Sequence, residues 1–248
     1  MINPYHNPWI PAEALRILES HHGTILDVGG GAAPYDRADH IVDILPFDAC
    51  RTERNQWGNS PSRREWTTEQ YTQFDLCGGK AWPFSDKHFD LGLCSHCLED
   101  LRDPIPVVAE LSRVCRRVLV ICPSRLLEQT RGIDHPAYCG FYHHPWMVFE
   151  EGGRIMFRRK TSILELKNCH VVCPIGWTLR PEVGSMFVEG ENLHAEEGAF
   201  WSEDKDYRDY VEFIRPYLAR RDLFIPDGRK HGVLFRVWRL RQKYFGRL

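Results

Sequence analysis

The sequence lacks the features of membrane, secreted and nucleic-acid-binding proteins. No uninterrupted apolar run approaches the ~20 residues of a membrane-spanning helix, and residues 1–15, MINPYHNPWIPAEAL, have neither the basic n-region nor the apolar core of a signal peptide. Neither sign of charge is in excess, because 32 Lys and Arg stand against 34 Asp and Glu, so no overall field attracts nucleic acid. We expect a soluble cytoplasmic protein without stable membrane insertion and without a nucleic-acid partner.

Cysteine is abundant, but its pattern argues against disulfides. The nine cysteines are odd in number, and several stand inside apolar runs such as LGLCSHC and RVLVIC, which is typical of buried thiols. Cys94 and Cys97 have C-x-x-C spacing, yet no second pair completes a zinc site. We expect reduced, buried thiols and therefore a reducing compartment.

The composition and length indicate one large globular domain with additions. Hydrophobic residues make up 43% and charged residues 27% of 248 residues, which is ordinary for a folded domain. We divide the chain into an N-terminal arm and helix (1–23), a ligand-binding core (24–146), and a C-terminal hairpin and helical extension (147–248) that completes the same domain.

Short apolar strands alternate with helical segments through the core. TILDV, HIVDI, QFDL, FDLGLCS and RRVLVICPS read as strands, and PAEALRILESHH and DPIPVVAELSRV have helical spacing. This order predicts an α/β fold with a doubly wound, mostly parallel, Rossmann-like sheet. Beyond it, WMVFEEGGRIMFRRK predicts a hairpin, and KDYRDYVEFIRPYLARRD a helix that Pro216 kinks or ends.

The first predicted strand runs into a glycine loop with unusual neighbours. A dinucleotide fingerprint, G-x-G-x-x-G, needs a third glycine where this loop has Pro34. Asp27, two residues before the first glycine, would repel a pyrophosphate but suits a ligand carrying an ammonium and a sulfonium. S-adenosylmethionine carries both, so it is favoured over a nicotinamide cofactor. At the ends of the next two strands, Asp43 is placed to accept hydrogen bonds from ribose hydroxyls and Asp75 from an adenine amino group.

Several motifs together resemble one family. Residues Thr24 to Ser124 resemble the class I S-adenosylmethionine-dependent methyltransferases, specifically the type 11 methyltransferase domain. The resemblance lies in LDVGGGAAP, in the acids of VDI and FDL, and in WPFSDKHFDLGLCSHCLEDLRDP. The continuation CPSRLLEQTRG…GFYHHPW resembles a bacterial subgroup to which we attach no substrate. The resemblance implies that Asp27, Gly29, Gly30 and Gly31 hold the methionine end, that Asp43 holds the ribose with Ile44 beside it, that Asp75 and Leu76 hold the adenine, and that Ser95 and His96 lie beside the methyl group.

A histidine-rich segment follows the fifth predicted strand. DHPAYCGFYHHPW contains Asp134, His135, His143 and His144, which fit a structural or surface role, a general base or substrate contact, or a metal site built from Asp134, His135 and one later histidine. Because adjacent residues of a strand point to opposite faces, we expect at most one of His143 and His144 to face the site. We predict His143 or His144 as the catalytic base and assign no metal.

The predicted function is methyl transfer from S-adenosylmethionine to an oxygen or nitrogen of a small-molecule or carrier-linked acceptor, with Arg125 available for an anionic acceptor group. The alternative is a catalytically degenerate methyltransferase fold that acts as a binding or scaffolding protein. Such a protein would use the long polar segment Leu45 to Gln73 and the C-terminal RKHGVLFRVWRLRQKYFGRL. The latter predicts a basic amphipathic helix, packed on the domain or touching a membrane surface weakly.

Overall fold

A computed structural model describes residues 10–31, 34–48, 65–198 and 203–226. Five strands of the central sheet are parallel, and a sixth is antiparallel at one edge. The parallel strands are β1 (Ile25–Val28), β2 (His40–Asp43), β3 (Tyr71–Gln73), β4 (Phe89–Ser95) and β5 (Cys115–Pro123). They lie in the order β5-β4-β1-β2-β3. This confirms the predicted fold class, and it places β1 between β2 and β4.

Apolar side chains cover both faces of the sheet, because successive side chains of a strand point to opposite faces. In β5, Val118 and Val120 join the cluster that contains helix α2 (Ile105–Val114), whereas Leu119 and Ile121 join the cluster that contains helix α1 (Ala12–Ser20). Both helices have the predicted position. A strand buried on both faces carries a nearly continuous apolar run, as the sequence shows here.

The third strand differs from the prediction. QFDL was expected to form it, but β3 is Tyr71–Gln73 and pairs Ile41 with Tyr71 and Asp43 with Gln73. Phe74 follows the strand, and its amide donates to the Asp43 carbonyl (2.7 Å). Asp75 therefore lies two residues beyond the strand, in a turn, rather than at the strand's last position.

The C-terminal part of the chain adds a strand to this sheet and forms smaller sheets beside it. The predicted hairpin is present as β7 (Trp146–Glu151) and β8 (Arg154–Arg159), joined through Gly152 and Gly153. The edge strand β11 (Ser185–Gly190) runs antiparallel to β5. The remaining elements are helices α3 (Arg125–Glu128) and α4 (Pro181–Gly184), and strands β6 (Thr130–Arg131), β9 (Val171–Val172), β10 (Trp177–Leu179), β12 (Ala195–Glu197) and β13 (Phe224–Pro226).

Helix α5 (Glu203–Ile214) is held on the hairpin by buried charges. Arg158 of β8 donates to Asp206 (2.7 Å) and to Asp209, with only 10% of its side chain exposed. The α-helix ends at Ile214 and gives way to a 3-10 turn at Arg215–Tyr217, as expected from Pro216.

The described cysteines have the free, mostly buried thiols that the sequence predicts. The eight described cysteines are all free, and seven of them are buried. Within those residues no helix is long and apolar enough to cross a membrane. The N-terminal arm (1–9), Ala32 and Ala33 of the glycine loop, most of the long polar segment (49–64) and the predicted C-terminal helix lie outside the described residues.

The buried ion pair between Arg158 and Asp206 gives a prediction about stability. Asp206→Asn removes one of the two carboxylates that pair with Arg158 and should lower the free energy of unfolding by about 3 kcal/mol. The matched control is Glu196→Gln, which breaks an exposed pair with Arg154 (56% and 49% of the side chains exposed) and should cost less than about 1 kcal/mol. Urea unfolding of both variants measures this, and equal losses would contradict the assignment of Arg158 as the anchor of α5.

Candidate functional site

The glycine turn at the carboxyl end of β1 has no room for side chains. Gly29 and Gly31 have positive φ (71° and 27°), a conformation that favours glycine. A Cβ on Gly29 would lie 2.3 Å from Cys97 Sγ, and one on Gly30 would lie 2.5 Å from Asp27 Oδ2. The turn therefore lies directly against the Asp27 carboxylate, with a buried thiol on its other side.

Asp27 is a buried carboxylate in the middle of the sheet. Its side chain is 1% exposed, and its Oδ2 accepts a hydrogen bond from the Tyr35 amide (2.7 Å). The pKa of Asp27 is raised from 3.8 to about 7, mainly by burial, which that hydrogen bond only partly opposes and to which the neighbouring Asp43 adds. The position is thus electrostatically suited to a cation.

Asp43, at the end of β2, stands on the other side of the glycine turn. Its Oδ2 accepts from the Gly31 amide (3.0 Å) and its Oδ1 from the Leu45 amide (2.8 Å). The residue is 7% exposed. Asp43 therefore fixes the turn, and its carboxylate is of the type that accepts hydrogen bonds from hydroxyl donors.

The end of β4 brings two further predicted residues to the same edge of the sheet. His96 has φ +52°, an uncommon conformation for a residue with a side chain. Its Nδ1 lies 3.4 Å from Glu99 Oε1. Ser95 Oγ and His96 Nε2 are buried and have no hydrogen-bond partner among the described residues. Orphaned polar atoms of this kind call for an explanation, such as a bound polar group.

The residues predicted for the adenine side lie further out. Ile44 is 59% exposed directly after β2, and Leu76 is 9% exposed. Asp75 is exposed, and its Oδ1 accepts from the Cys77 amide (2.9 Å). Asp75 thus stabilises its own turn, and its predicted contact with an adenine amino group stays a prediction.

His143 and His144 come together with an acid that the sequence reasoning missed. Their Nε2 atoms lie 3.9 Å and 3.7 Å from Asp100 Oδ1, and the ring centroids are 4.5 Å apart. The expectation that at most one of them faces the site was wrong, because they lie in a turn before β7, where the alternation of a strand does not apply. Asp100 ends the short 3-10 helix Leu98–Asp100 that follows β4.

A hydrogen bond joins the two chain segments that carry this cluster. The indole Nε1 of Trp146, the first residue of β7, donates to the Leu101 carbonyl (2.8 Å). Trp146 is 2% exposed, so the contact is shielded from water. It places the turn containing His143 and His144 beside Asp100.

A second buried carboxylate, Glu128, orients His144. Ser124 caps helix α3, with its Oγ accepting from the Leu127 amide (3.1 Å), and Glu128 ends this helix. Glu128 Oε1 lies 2.8 Å from His144 Nδ1, and Lys160 Nζ donates to Glu128 Oε2 (2.6 Å). Burial lowers the pKa of His144, but the hydrogen bond with Glu128 and the nearby carboxylates outweigh it, so the pKa is raised above its ordinary value.

Gly140 allows the histidine-bearing loop to lie over Glu128. It has φ +59°, and a Cβ there would lie 2.1 Å from Glu128 Oε2 and 2.7 Å from Glu128 Cα. Backbone atoms cannot move aside easily, so only glycine fits. Next to this loop is a cleft of about 860 Å³, whose lining includes His135, Tyr142, His143, His144, Lys160 and Glu165.

Two predictions about this region are corrected by the structure. Of the described residues that could hold a metal, the structure groups Asp100, His143 and His144, not Asp134 and His135 with a later histidine. His135 Nδ1 instead accepts from the Ala137 amide (3.1 Å). Arg125 does not face an acceptor, because it pairs with Asp209 and stacks on Phe213 (4.2 Å to the ring centroid).

Comparisons with known proteins point to one kind of domain. Residues 26–120 match the family model described as a methyltransferase domain, and no curated protein matches the chain. Among solved structures, a candidate methyltransferase from Bacillus halodurans is 21% identical over 46% of this chain and 50% of that chain, with a TM-score of 0.33. An S-adenosylmethionine-dependent methyltransferase from Aquifex aeolicus is 17% identical over 45% of this chain and 64% of that chain, with a TM-score of 0.31. One from Mesorhizobium loti is 15% identical over 60% of this chain and 63% of that chain, with a TM-score of 0.34.

The chain spans about half the length of several of the solved proteins that it resembles. Similarity at this level says nothing about the substrate of this chain.

The buried Asp27 gives a pH-dependent prediction. Its pKa is raised by burial to about 7, so the folded protein favours the protonated acid and loses stability as the pH rises from about 4 to about 7. Asp27→Asn removes this loss and should be more stable than the wild type by up to about 4 kcal/mol near pH 8, with the difference shrinking towards pH 4. Urea unfolding at both pH values measures it, and a difference independent of pH would contradict the burial argument.

Proposed function

We propose that the chain binds S-adenosylmethionine at the carboxyl ends of β1, β2 and β4 and methylates an acceptor. Residues 26–120 match the family model described as a methyltransferase domain. The family resemblance predicted from the sequence is confirmed for these residues. The acceptor is an oxygen or nitrogen of a small-molecule or carrier-linked compound. The observation that carries the proposal is the pair of buried carboxylates, Asp27 and Asp43, that lie against neighbouring glycines of a turn without side chains.

The charge and shape of this turn fit the methionine end of the cofactor. Gly29, Gly30 and Gly31 let a ligand approach the backbone closely. An ammonium next to Asp27 offsets the cost of its burial, which is otherwise high for an ionised carboxylate. Asp43 accepts from ribose hydroxyls while it holds the Gly31 amide.

The outer residues complete the site. The exposed side chain of Ile44 offers an apolar surface to the adenine, with Leu76 beneath the same edge and Asp75 near the exocyclic amino group. At the reacting end, Ser95 Oγ and His96 Nε2 find partners in polar atoms of the bound ligands. When bound, S-adenosylmethionine supplies a methyl group on a positively charged sulfur, which is already activated for transfer.

The protein then has to orient the acceptor, exclude water and accept a proton. The Asp100, His143 and His144 cluster provides the proton-accepting groups. Burial and the hydrogen bond with Glu128 have the largest effects on the pKa of His144. Glu99 and Asp100, which follow β4, raise this pKa as well, so His144 interacts electrostatically with the segment after β4. His143 is 42% exposed and lines the cleft, so it is the better placed of the two to meet an acceptor.

Cofactor binding tests the proposal directly. Isothermal titration with S-adenosylmethionine and with its demethylated product should give one site per chain for the wild type. Asp27→Asn and Asp43→Asn should each weaken binding at least tenfold, because each loses a charge-assisted contact. The matched control is Asp39→Asn, whose carboxylate accepts from the Ile25 amide at the opposite edge of the sheet. No binding by the wild type at millimolar ligand, or equal loss in the control, would contradict the proposal.

The acceptor side gives a separate prediction. A panel of hydroxyl and amine compounds, assayed with methyl-labelled S-adenosylmethionine, should yield at least one methylated product. For that acceptor, His143→Ala should lower turnover about 10²–10⁴-fold, the usual effect of losing a general base, without changing cofactor affinity. His135→Ala, in the same cleft, should leave turnover within a few fold. Cofactor binding without turnover of any acceptor would favour the binding-protein alternative.

A further inference from the structure

We propose that Asp100, His143 and His144 form a binding site for a divalent first-row transition-metal ion such as Zn²⁺. One carboxylate oxygen and two imidazole nitrogens converge, all within 4.8 Å of one another. They come from two segments of chain that the Trp146 to Leu101 hydrogen bond (2.8 Å) holds together. The proposal goes beyond methyl transfer, because the ion's binding requires no cofactor.

The buried Glu128 gives His144 the form that a metal ligand needs. With Glu128 Oε1 at 2.8 Å, the proton of a neutral His144 ring resides on Nδ1, and the Nε2 lone pair is turned towards Asp100. Metal-binding histidines generally have such a carboxylate behind them. Lys160 donates to the other Glu128 oxygen (2.6 Å) and to the Phe141 carbonyl (2.7 Å), so the acid that orients the ligand is itself held in place.

The distances fit a site that closes slightly on its ion. Bonds of ~2.0–2.1 Å in a tetrahedral site put ligand atoms about 3.4 Å apart, whereas the two nitrogen-to-Asp100 distances are 3.7 Å and 3.9 Å. The two distances to Asp100 need to shorten by only a few tenths of an ångström, and the two nitrogen atoms lie within 4.8 Å of each other. His144 is nearly buried and fixed, but the side chains of His143 and Asp100 are 42% and 44% exposed and are able to move.

The set of ligands selects the class of ion. Two imidazoles and one carboxylate suit Zn²⁺, Fe²⁺ or Co²⁺, while Mg²⁺ and Ca²⁺ prefer oxygen ligands throughout. The buried Glu99, which interacts electrostatically with His144, adds negative charge nearby. Glu128 is neutralised by Lys160, so it supports the ligand without competing for the ion.

Three protein ligands leave at least one coordination position open, which is typical of catalytic rather than structural sites. His143 and His144 line the cleft of about 860 Å³, so an acceptor in that cleft reaches the ion through an oxygen atom. The bound ion lowers the pKa of a coordinated hydroxyl. In the ion-free protein, the same histidines accept the proton themselves, and this second role rests on the proposed methyl transfer.

Metal titration of the full-length protein tests the site without reference to activity. Protein dialysed against a chelator is titrated with Zn²⁺ in competition with a chromophoric chelator, and with Co²⁺ while its visible absorption is recorded. One ion should bind per chain. His143→Gln and Asp100→Asn should weaken binding at least 100-fold, and Glu128→Gln about 10–100-fold, as for other residues that orient metal ligands. His135→Gln, which alters the same cleft outside the cluster, should bind as the wild type does.

Each of several results would overturn the proposal. The first is a wild type that binds the ion no more tightly than His143→Gln does. The second is an equal loss of metal affinity in His135→Gln. The third is a Co²⁺ spectrum dominated by thiolate charge transfer, which would place the ion on cysteines. Far-ultraviolet circular dichroism and urea unfolding verify that each variant is folded. A wild type that binds Zn²⁺ as expected but no S-adenosylmethionine would refute the proposed function and leave the metal site standing.

Discussion

The Asp27 carboxylate is buried in the middle of a parallel sheet, and much of the surrounding structure follows from this. β1 has neighbours on both sides, β2 and β4, so a side chain that ends it cannot reach water around an edge. Burial is the main cause that raises the pKa of Asp27 to about 7, with a further contribution from Asp43 and against the effect of the Tyr35 amide. A charge in such a place is costly unless something compensates it. Because Gly30 has no side chain, the turn packs directly against Asp27 Oδ2, and we propose that a cationic ligand bound at this turn provides that compensation.

The architecture was predictable from the sequence wherever burial on both faces forced a simple pattern. Central strands such as β4 and β5 carry continuous apolar runs, and α2 carries its buried residues on one side, so their positions were read correctly. β3 was misplaced for the opposite reason. It is an edge strand paired only with β2, and none of its residues Tyr71–Gln73 is fully buried. An edge strand has no need of apolarity, so the apolar residues just after it, in FDL, attracted the prediction instead.

The sequence predicted candidate site residues at strand ends and in the histidine-rich segment, but it did not predict Asp100 or Glu128. Asp27 and Asp43 were found because acids that end neighbouring parallel strands must meet at one edge. Asp100 and Glu128 follow β4 and β5 closely and obey the same rule, but each is separated from its strand by a short helix that hides the relation. The partners of Glu128 come from distant parts of the chain: His144 lies 16 residues after Glu128, and Lys160 lies 32 residues after it. No local pattern encodes such a meeting, and it depends on Gly140 and Trp146 packing as they do.

Two of the fully buried acids, Asp27 and Glu128, differ in how their charge is balanced. Both are 1% exposed. Glu128 has an ammonium on one oxygen and an imidazole on the other, so the protein itself balances its charge and the acid is free to hold His144 in one orientation. Asp27 has one backbone amide among the described residues and no basic side chain. No basic group of the described residues balances its charge, and its pKa is raised, mainly by burial, to about 7; we propose that a cationic ligand supplies the balance.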